Sequence, residues 1–291
     1  MKITVVICVC MLVLFSSGAD AEDRAWKARS DYCQILDNQM EPVCRFNFDI
    51  IPSSRFEGAG KSTLFEMEAD GEFAYLRDKL YGDIDLSLAF KSIIFVGSAR
   101  LDLPDQVVKL ALDAGWAGRF QDGLAVQVRA YPGIYSDLEG WGLNTIFMPF
   151  SCSAIKTFSR AVSCIIGAEL RPDFERFFMP IVGMHWEISD LLRLEVGLPE
   201  SRILCFPHPD WSTHLGFDWN NTSFRLDDDR DMITVEDFKA YVGITRWISD
   251  QMHVTGEFGR VFWRSVEYDN PSSDIEIDDQ YFLRLGVGGP F

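Results

Sequence analysis

The sequence predicts an all-β fold, a closed antiparallel transmembrane β-barrel of about twelve strands. Apolar and polar residues alternate with a period of two over most of the chain after residue 62, as they do in strands that have one apolar and one polar face. The chain opens with an export signal. No run of about 18 apolar residues, the length of a transmembrane helix, occurs in it.

Residues 1–21 have the parts of a cleaved signal peptide. A lysine supplies the positive charge, and Ile3–Phe15 forms an apolar core that is too short to span a bilayer. Ala19-Asp20-Ala21 is a small-x-small cleavage site. We therefore expect the mature chain to be exported.

Composition limits the partners and the chemistry of the mature chain. Its 44 acidic and 27 basic residues give a formal net charge of −17, which argues against nucleic acid as a partner because phosphates are neutralised by a surplus of Lys and Arg. The cysteines that remain are Cys33, Cys44, Cys152, Cys164 and Cys205. Two disulfides, Cys33–Cys44 and Cys152–Cys164, are one interpretation, and small apolar filler residues are the other.

The clearest alternation runs from Pro180 to Asn221. Within it, Val182, Met184 and Trp186 fall on one face of a predicted strand, while glycine, histidine and glutamate fall on the other. Polar breaks at Ser189-Asp190 and Pro207–Asp210 predict turns between antiparallel neighbours.

The remaining elements follow the same reasoning in chain order. Residues 22–62 are poorly patterned and are expected to be irregular, apart from a possible strand at Val43–Ile51, and the barrel is expected to occupy residues 63–291. Further strands are predicted around Phe65–Phe73, Ile84–Phe90, Leu110–Trp116, Leu124–Ala130, Trp141–Ser151, Ala161–Leu170, Leu192–Leu198, Trp211–Trp219, Phe238–Ile244, Met252–Phe258 and Tyr281–Val287.

The alternation also fits a secreted, soluble β-sandwich that acts as a binding module, with its apolar face turned inward. The barrel is favoured because the strands are many, long and consecutive, and because the last strand ends on Phe291. A terminal aromatic residue of this kind resembles the signal that the outer-membrane assembly machinery reads. The expected partners are therefore this machinery and outer-membrane lipids, and the expected location is the bacterial outer membrane.

The two ends of such a barrel differ in the length of their loops. With the C-terminus in the periplasm, the acid-rich loops Leu226–Glu236 and Glu267–Asp279 are expected outside, and the short turns Pro207–Asp210 and Ser249–Gln251 are expected on the periplasmic side. On the same count, Ser189-Asp190 and Gln121–Gly123 would be short turns on the outside.

Several segments carry a family resemblance, and their order and spacing matter more than any one of them. They are Asp102-Leu103-Pro104-Asp105, Pro132–Asp137, Pro180–Leu198, Asp237–Gly243, Glu257-Phe258-Gly259 and Leu283–Val287. With them, the chain resembles a family of bacterial outer-membrane β-barrels classed as a domain of unknown function. One departure is Glu200-Ser201-Arg202, where the family tends to repeat Arg-Pro. The resemblance implies an outer-membrane barrel of about twelve strands and no particular activity.

Charged side chains on the polar face are predicted to line the lumen. They are Glu66, Glu68, Asp70, Asp83, Asp85, Arg129, Glu187, Arg193, Glu195, Asp218, Glu257 and Arg284. The dense acids could form a wall that attracts cations or a divalent-ion site. The favoured alternative is that basic residues across the barrel neutralise them, namely Lys91, Lys109, Arg129, Arg193 and Arg284. The interior would then be a network of ion pairs, and any pore would be narrow.

No catalytic set emerges from the sequence. Ser212, His214 and Asp218 share one face but would spread over about 7–14 Å of a strand, too far for a direct proton relay. No G-x-S-x-G motif occurs. We therefore expect no enzymatic activity, no cofactor and no metal site, and a role as a structural barrel or as a narrow pore for small solutes.

Overall fold

The computed structural model describes residues 43–56, 60–97, 103–139, 145–172, 174–226, 232–249, 252–268 and 275–290. The predicted signal peptide, Cys33 and Phe291 lie outside these residues. Within them, no helix is long and apolar enough to cross a membrane.

Within the described residues, seventeen strand segments form a single sheet, in which consecutive segments pair antiparallel except at three interruptions. They are β1 (Val43–Phe56), β2 (Gly60–Lys79), β3 (Gly82–Val96), β4 (Gln106–Arg119), β5 (Leu124–Ala130), β6 (Gly133–Ser136), β7 (Ile146–Phe147), β8 (Phe150–Ser159), β9 (Val162–Leu170), β10 (Phe178–Ser189), β11 (Leu192–Leu198), β12 (Glu200–His208), β13 (Trp211–Arg225), β14 (Met232–Ser249), β15 (Met252–Tyr268), β16 (Ile275–Ile277) and β17 (Gln280–Pro290). A 3₁₀ turn at Gln121–Gly123 connects β4 to β5.

The sheet closes on itself through its first strand. β1 pairs with β2 on one side and with β17 on the other, in a register that runs from Val43 opposite Pro290 to Ile50 opposite Leu283. This closure overturns the alternative of a β-sandwich, in which two separate sheets would face each other. The barrel therefore begins at Val43, within the segment 22–62 that the sequence had suggested was irregular.

The wall contains fourteen strands, because three of them are interrupted and account for two segments each. The interrupted strands are β5 with β6, β7 with β8, and β16 with β17. The prediction of about twelve was wrong because it omitted β1 and β12. The pattern of β12 is hidden by Leu204 and Phe206, which share a face with Arg202, so apolar residues occur on both of its sides.

Adding β12 changes the end of the barrel at which the turns before it lie. The turns Ser189-Asp190 and Gln121–Gly123 lie at the end that carries Val43 and Pro290, and not at the opposite end as expected. The turn at Pro207–Asp210 lies at this end too, and so do the end of β14 at Ser249 and the start of β15 at Met252. We call it the terminal end and the opposite one the loop end.

The outward face of the wall is apolar and exposed. Leu215, Val242, Phe258 and Leu285 are each between 51% and 55% exposed, although they lie in the middle of long strands. A surface of this kind is typical of the lipid-facing band of a membrane barrel. Cys152 and Cys164 are free thiols, so the pairing of Cys152 with Cys164 is wrong.

The wall is uneven at the loop end, where β11 and β12 turn early at Pro199. Beyond the hydrogen bond from Trp219 N to Pro199 O (2.9 Å), the upper part of β13 has no further pairing with β12. There Arg171 Nη1 donates to Asn221 O (2.7 Å), and Arg225 pairs with Ser136 of β6. β6 therefore meets β13 across the narrowed loop end.

We expect an arginine on the outward face to cost more in the middle of a strand than in a turn. Leu215→Arg, at mid-height of β13, should lower the free energy of unfolding by about 2–4 kcal/mol, and Leu191→Arg, in the β10–β11 turn, by about 0–1 kcal/mol. Denaturant titration of protein refolded into lipid vesicles measures both. Equal costs would show that Leu215 does not face lipid.

Candidate functional site

A cluster of buried ion pairs crosses the middle of the barrel. Lys239 Nζ on β14 lies 2.9 Å from Asp49 Oδ2 on β1 and 2.6 Å from Glu66 Oε2 on β2. Arg264 on β15 contacts both Glu66 and Asp237. All five side chains are at most 3% exposed. We call them, together with Arg284 and Glu257, the central cluster.

Arg284 extends this network along the lumen. It donates from Nε to Asp49 Oδ1 (2.7 Å) and from Nη1 to Glu257 Oε2 (3.0 Å). Glu257 also lies 2.9 Å from His214 Nε2. A Cβ at Gly243 would overlap with the His214 ring, so only glycine leaves room for this contact. The network thus depends on a small residue on the neighbouring strand.

Each carboxylate that the sequence predicts to line the lumen lies beside a basic group. The pairs are Glu66–Lys239, Glu68–Lys91, Asp70–Arg45, Asp83–Arg119, Asp85–Arg129, Glu187–Arg193, Glu195–His185, Asp218–Arg284 and Glu257–Arg284. This arrangement supports neutralisation over an unpaired acidic wall, but most of the bases lie on a neighbouring strand and not across the barrel. Of the neutralising bases expected, Lys109 forms no such pair with any of the described residues.

Sequence reasoning missed four members of the central cluster, namely Lys239, Asp49, Asp237 and Arg264. Asp49 lies in β1, where the alternation of Arg45-Phe46-Asn47-Phe48-Asp49 was a usable signal. Asp237 and Arg264 lie beside a bulge that shifts the pairing of β14 with β15, and Trp263 adopts a φ of 47° there. Because a bulge changes which face later residues occupy, simple alternation could not place Arg264.

The possible catalytic residues are not brought together. His214 contacts Glu257, and Asp218 accepts a hydrogen bond from Tyr241 OH (2.9 Å), while Ser212 is buried in the wall. Within the part of the chain that the structure describes, no group of three or more His, Cys, Asp or Glu side chains could hold a metal ion.

An apolar layer fills the barrel between the central cluster and the loop end. Its side chains come from many strands and from the β9–β10 connection, and they are almost completely buried. They include Leu64, Phe95, Val107, Tyr135, Phe147, Phe174, Phe224, Ile233, Val235, Val266 and Ile277. Together with the ion pairs, this layer closes the interior at the loop end.

The lumen is more accessible toward the terminal end. The side chains of Asp70, Glu68 and Glu187 are 45%, 39% and 29% exposed, whereas Lys239 in the central cluster is 1% exposed. Thr245 and Thr255 share a hydroxyl hydrogen bond of 2.9 Å on this side. Along β1, β2 and β10 the interior is thus polar and accessible at the terminal end, whereas Ala117, Ala125 and Ile155 form a buried apolar cluster along β4, β5 and β8 at the same end.

The wall of this barrel is closed, its exterior is apolar and its interior is charged. These three features together define a β-barrel of the outer-membrane type. Residues 97–274, more than half of the chain, match the family described as Domain of unknown function (DUF6268), and the chain belongs to this family. The family resemblance seen in the sequence is thereby confirmed. No curated protein matches the chain.

Three solved structures are among those similar in fold. An outer-membrane channel described as COG4313 from Pseudomonas putida F1 has a TM-score of 0.46 and 13% identity, and the match covers 94% of this chain and 100% of that one. A FadL homologue from Pseudomonas aeruginosa has a TM-score of 0.43 and 8% identity, and the match covers 86% of this chain and 90% of that one. The toluene transporter TodX from Pseudomonas putida has a TM-score of 0.37 and 9% identity, and the match covers 95% of this chain and 98% of that one. At these TM-scores the similarity says nothing about what this chain binds.

Lys239→Met should destabilise the barrel, because it leaves buried carboxylates without one of their cations. We expect a loss of about 3–5 kcal/mol in the free energy of unfolding. Adding Glu66→Gln should recover part of it, with a coupling of about 0.5–3 kcal/mol in a double-mutant cycle. Urea unfolding in vesicles measures these values.

Lys156→Met is the matched control, because Lys156 Nζ makes only an exposed hydrogen bond, to Asp122 O. It should change the stability by no more than about 0.5 kcal/mol. If Lys239→Met proved as mild as this control, the central cluster would not stabilise the barrel.

Proposed function

We propose that this protein is an outer-membrane barrel that gives small solutes a narrow passage, which is closed in the conformation described here. The observation that carries the proposal is the gradient of exposure along the lumen. Polar side chains are accessible from the terminal end, and the obstruction consists of the central cluster and the apolar layer above it.

The width of the barrel supports a passage. A barrel of about eight strands is just filled by its own side chains, whereas barrels of about 16–18 strands leave an aqueous channel. Fourteen strands lie between these limits. A lumen of this width, with polar side chains accessible at the terminal end, suits a passage that small side-chain movements open and close.

The proposal also includes the location of the protein in the outer membrane and its insertion there by the assembly machinery. The predicted signal peptide would export the chain, and β17 would be read by the assembly machinery. The exposed apolar face would then lie in the lipid of the outer membrane. The ion pairs serve stability and closure, so we assign the protein no catalytic role.

Conductance in planar bilayers tests the passage. We expect the wild-type barrel to conduct little, and Phe224→Ala to raise the conductance severalfold, because Phe224 is completely buried in the apolar layer. Phe258→Ala removes the same atoms from the outward face, where the side chain is 55% exposed, and should leave the conductance unchanged.

Correct folding of each variant is checked by the shift in gel mobility on boiling. A folded Phe224→Ala barrel that conducts no more than wild type would contradict the passage. It would favour a structural barrel, the other role that the sequence allows.

A further inference from the structure

Three aromatic rings pack against one another inside the loop end. The ring centroids of Tyr135, Phe147 and Phe174 are 5.2–5.5 Å apart, and each pair meets edge to face. All three side chains are at most 7% exposed. Tyr135 and Phe147 belong to strands β6 and β7, whereas Phe174 comes from the connection between β9 and β10. The ring of Phe174 is thus the one member that no strand holds in place.

Three cations surround this aromatic group. Lys109 Nζ lies 5.5 Å from the ring centroid of Tyr135, and the guanidinium carbons of Arg171 and Arg225 lie 5.9 Å and 5.8 Å from those of Phe174 and Phe147. Elsewhere in the described lumen, cations contact carboxylates. At the loop end, aromatic rings take the place of carboxylates for Lys109 and Arg225.

Only Arg171 of these cations has a carboxylate partner, since its Nε donates to Glu169 Oε1 at 2.6 Å. Neither Lys109 nor Arg225 has a carboxylate oxygen within 4.0 Å among the described residues, and Arg225 Nε is buried without a hydrogen-bond acceptor. Asp137, which is close to Arg225 in the wall, accepts instead from Ser136 Oγ (3.2 Å) and Glu139 N (3.1 Å).

Lys109 and Arg225 are half-buried beside these rings and have no counterion in contact, so the part of their hydration that is lost is not replaced and the site favours an anion. A guanidinium matches a carboxylate in shape and can bind it through two parallel hydrogen bonds. The neighbouring rings favour another ring, which can pack edge to face as they do.

We propose that the loop end of the barrel binds small aromatic carboxylates. The aryl ring takes the place of Phe174 between Tyr135 and Phe147, and the carboxylate accepts hydrogen bonds from Arg225 and Lys109. Phe174 is the residue displaced because it lies in the β9–β10 connection, outside the strand pairing. In a chain with a net charge of −17, this concentration of unpaired cations marks a site for an anion from outside the protein.

Binding of radiolabelled benzoate to the detergent-purified barrel tests the proposal by equilibrium dialysis. Wild-type protein should bind benzoate, and Lys109→Met and Arg225→Met should each weaken binding at least about tenfold, the usual effect of losing one charge-assisted hydrogen bond. Lys156→Met is the matched control and should bind as wild type does. Phe174→Ala should bind more tightly than wild type, because no side chain has to be displaced.

Toluene and acetate serve as competitors that lack the charge and the ring, respectively. Both should compete weakly against benzoate. Effective competition by toluene would overturn the ionic part of the proposal, and effective competition by acetate would overturn the aromatic part. Benzoate binding that is unchanged in folded Lys109→Met and Arg225→Met, or absent from both wild type and Phe174→Ala, would overturn the whole. Because dialysis does not involve conductance, benzoate binding together with a folded Phe224→Ala barrel that conducts no more than wild type would contradict the passage and leave this site intact.

Discussion

The pairing of β1 with β17 is the constraint on which the rest of the structure depends. Lipid offers no hydrogen bonds, so a sheet that faces it must have no free edge. The eight residue pairs from Val43–Pro290 to Ile50–Leu283 remove that edge. Once the wall is closed, alternation leaves each strand with one face toward the exterior and one toward the lumen. The apolar outside and the charged inside follow from this single geometric requirement.

Closure creates a second requirement inside the barrel. Charges that face a confined lumen lose part of their hydration and have to be paired. Lys239 and Arg264 meet this need for Asp49, Glu66 and Asp237, which come from distant parts of the chain. Toward the terminal end the same need weakens, since water reaches the side chains there. The gradient from buried pairs to accessible ones along β1 and β2 is therefore a consequence of solvation.

Strands whose two faces differ clearly in polarity could be predicted from the sequence, as Met252–Phe258 and Leu283–Val287 show. β12 could not, because Leu204 and Phe206 place apolar groups on its inward face. The face of Arg264 was hidden by the bulge at Trp263, where one extra residue reverses the alternation. The ion-pair partners depend on which strands become neighbours and in what register. Local periodicity carries no information about either, so Lys239 and Glu66, 173 residues apart, could be assigned a face but not a partner.

The central claim is that the wall closes through β1 and β17, and a cross-link at this seam tests it most directly. Cys44 lies opposite Gly289 in the pairing of the two strands. In Gly289→Cys, with Cys33 replaced by Ser so that it cannot pair with Cys44, mild oxidation should therefore join Cys44 to the new thiol, as mass spectrometry of the linked peptides would show. Gly256→Cys on β15 should give no such link to Cys44. Absence of the link in a folded Gly289→Cys protein, or equal linkage in the β15 variant, would contradict a barrel closed at this seam.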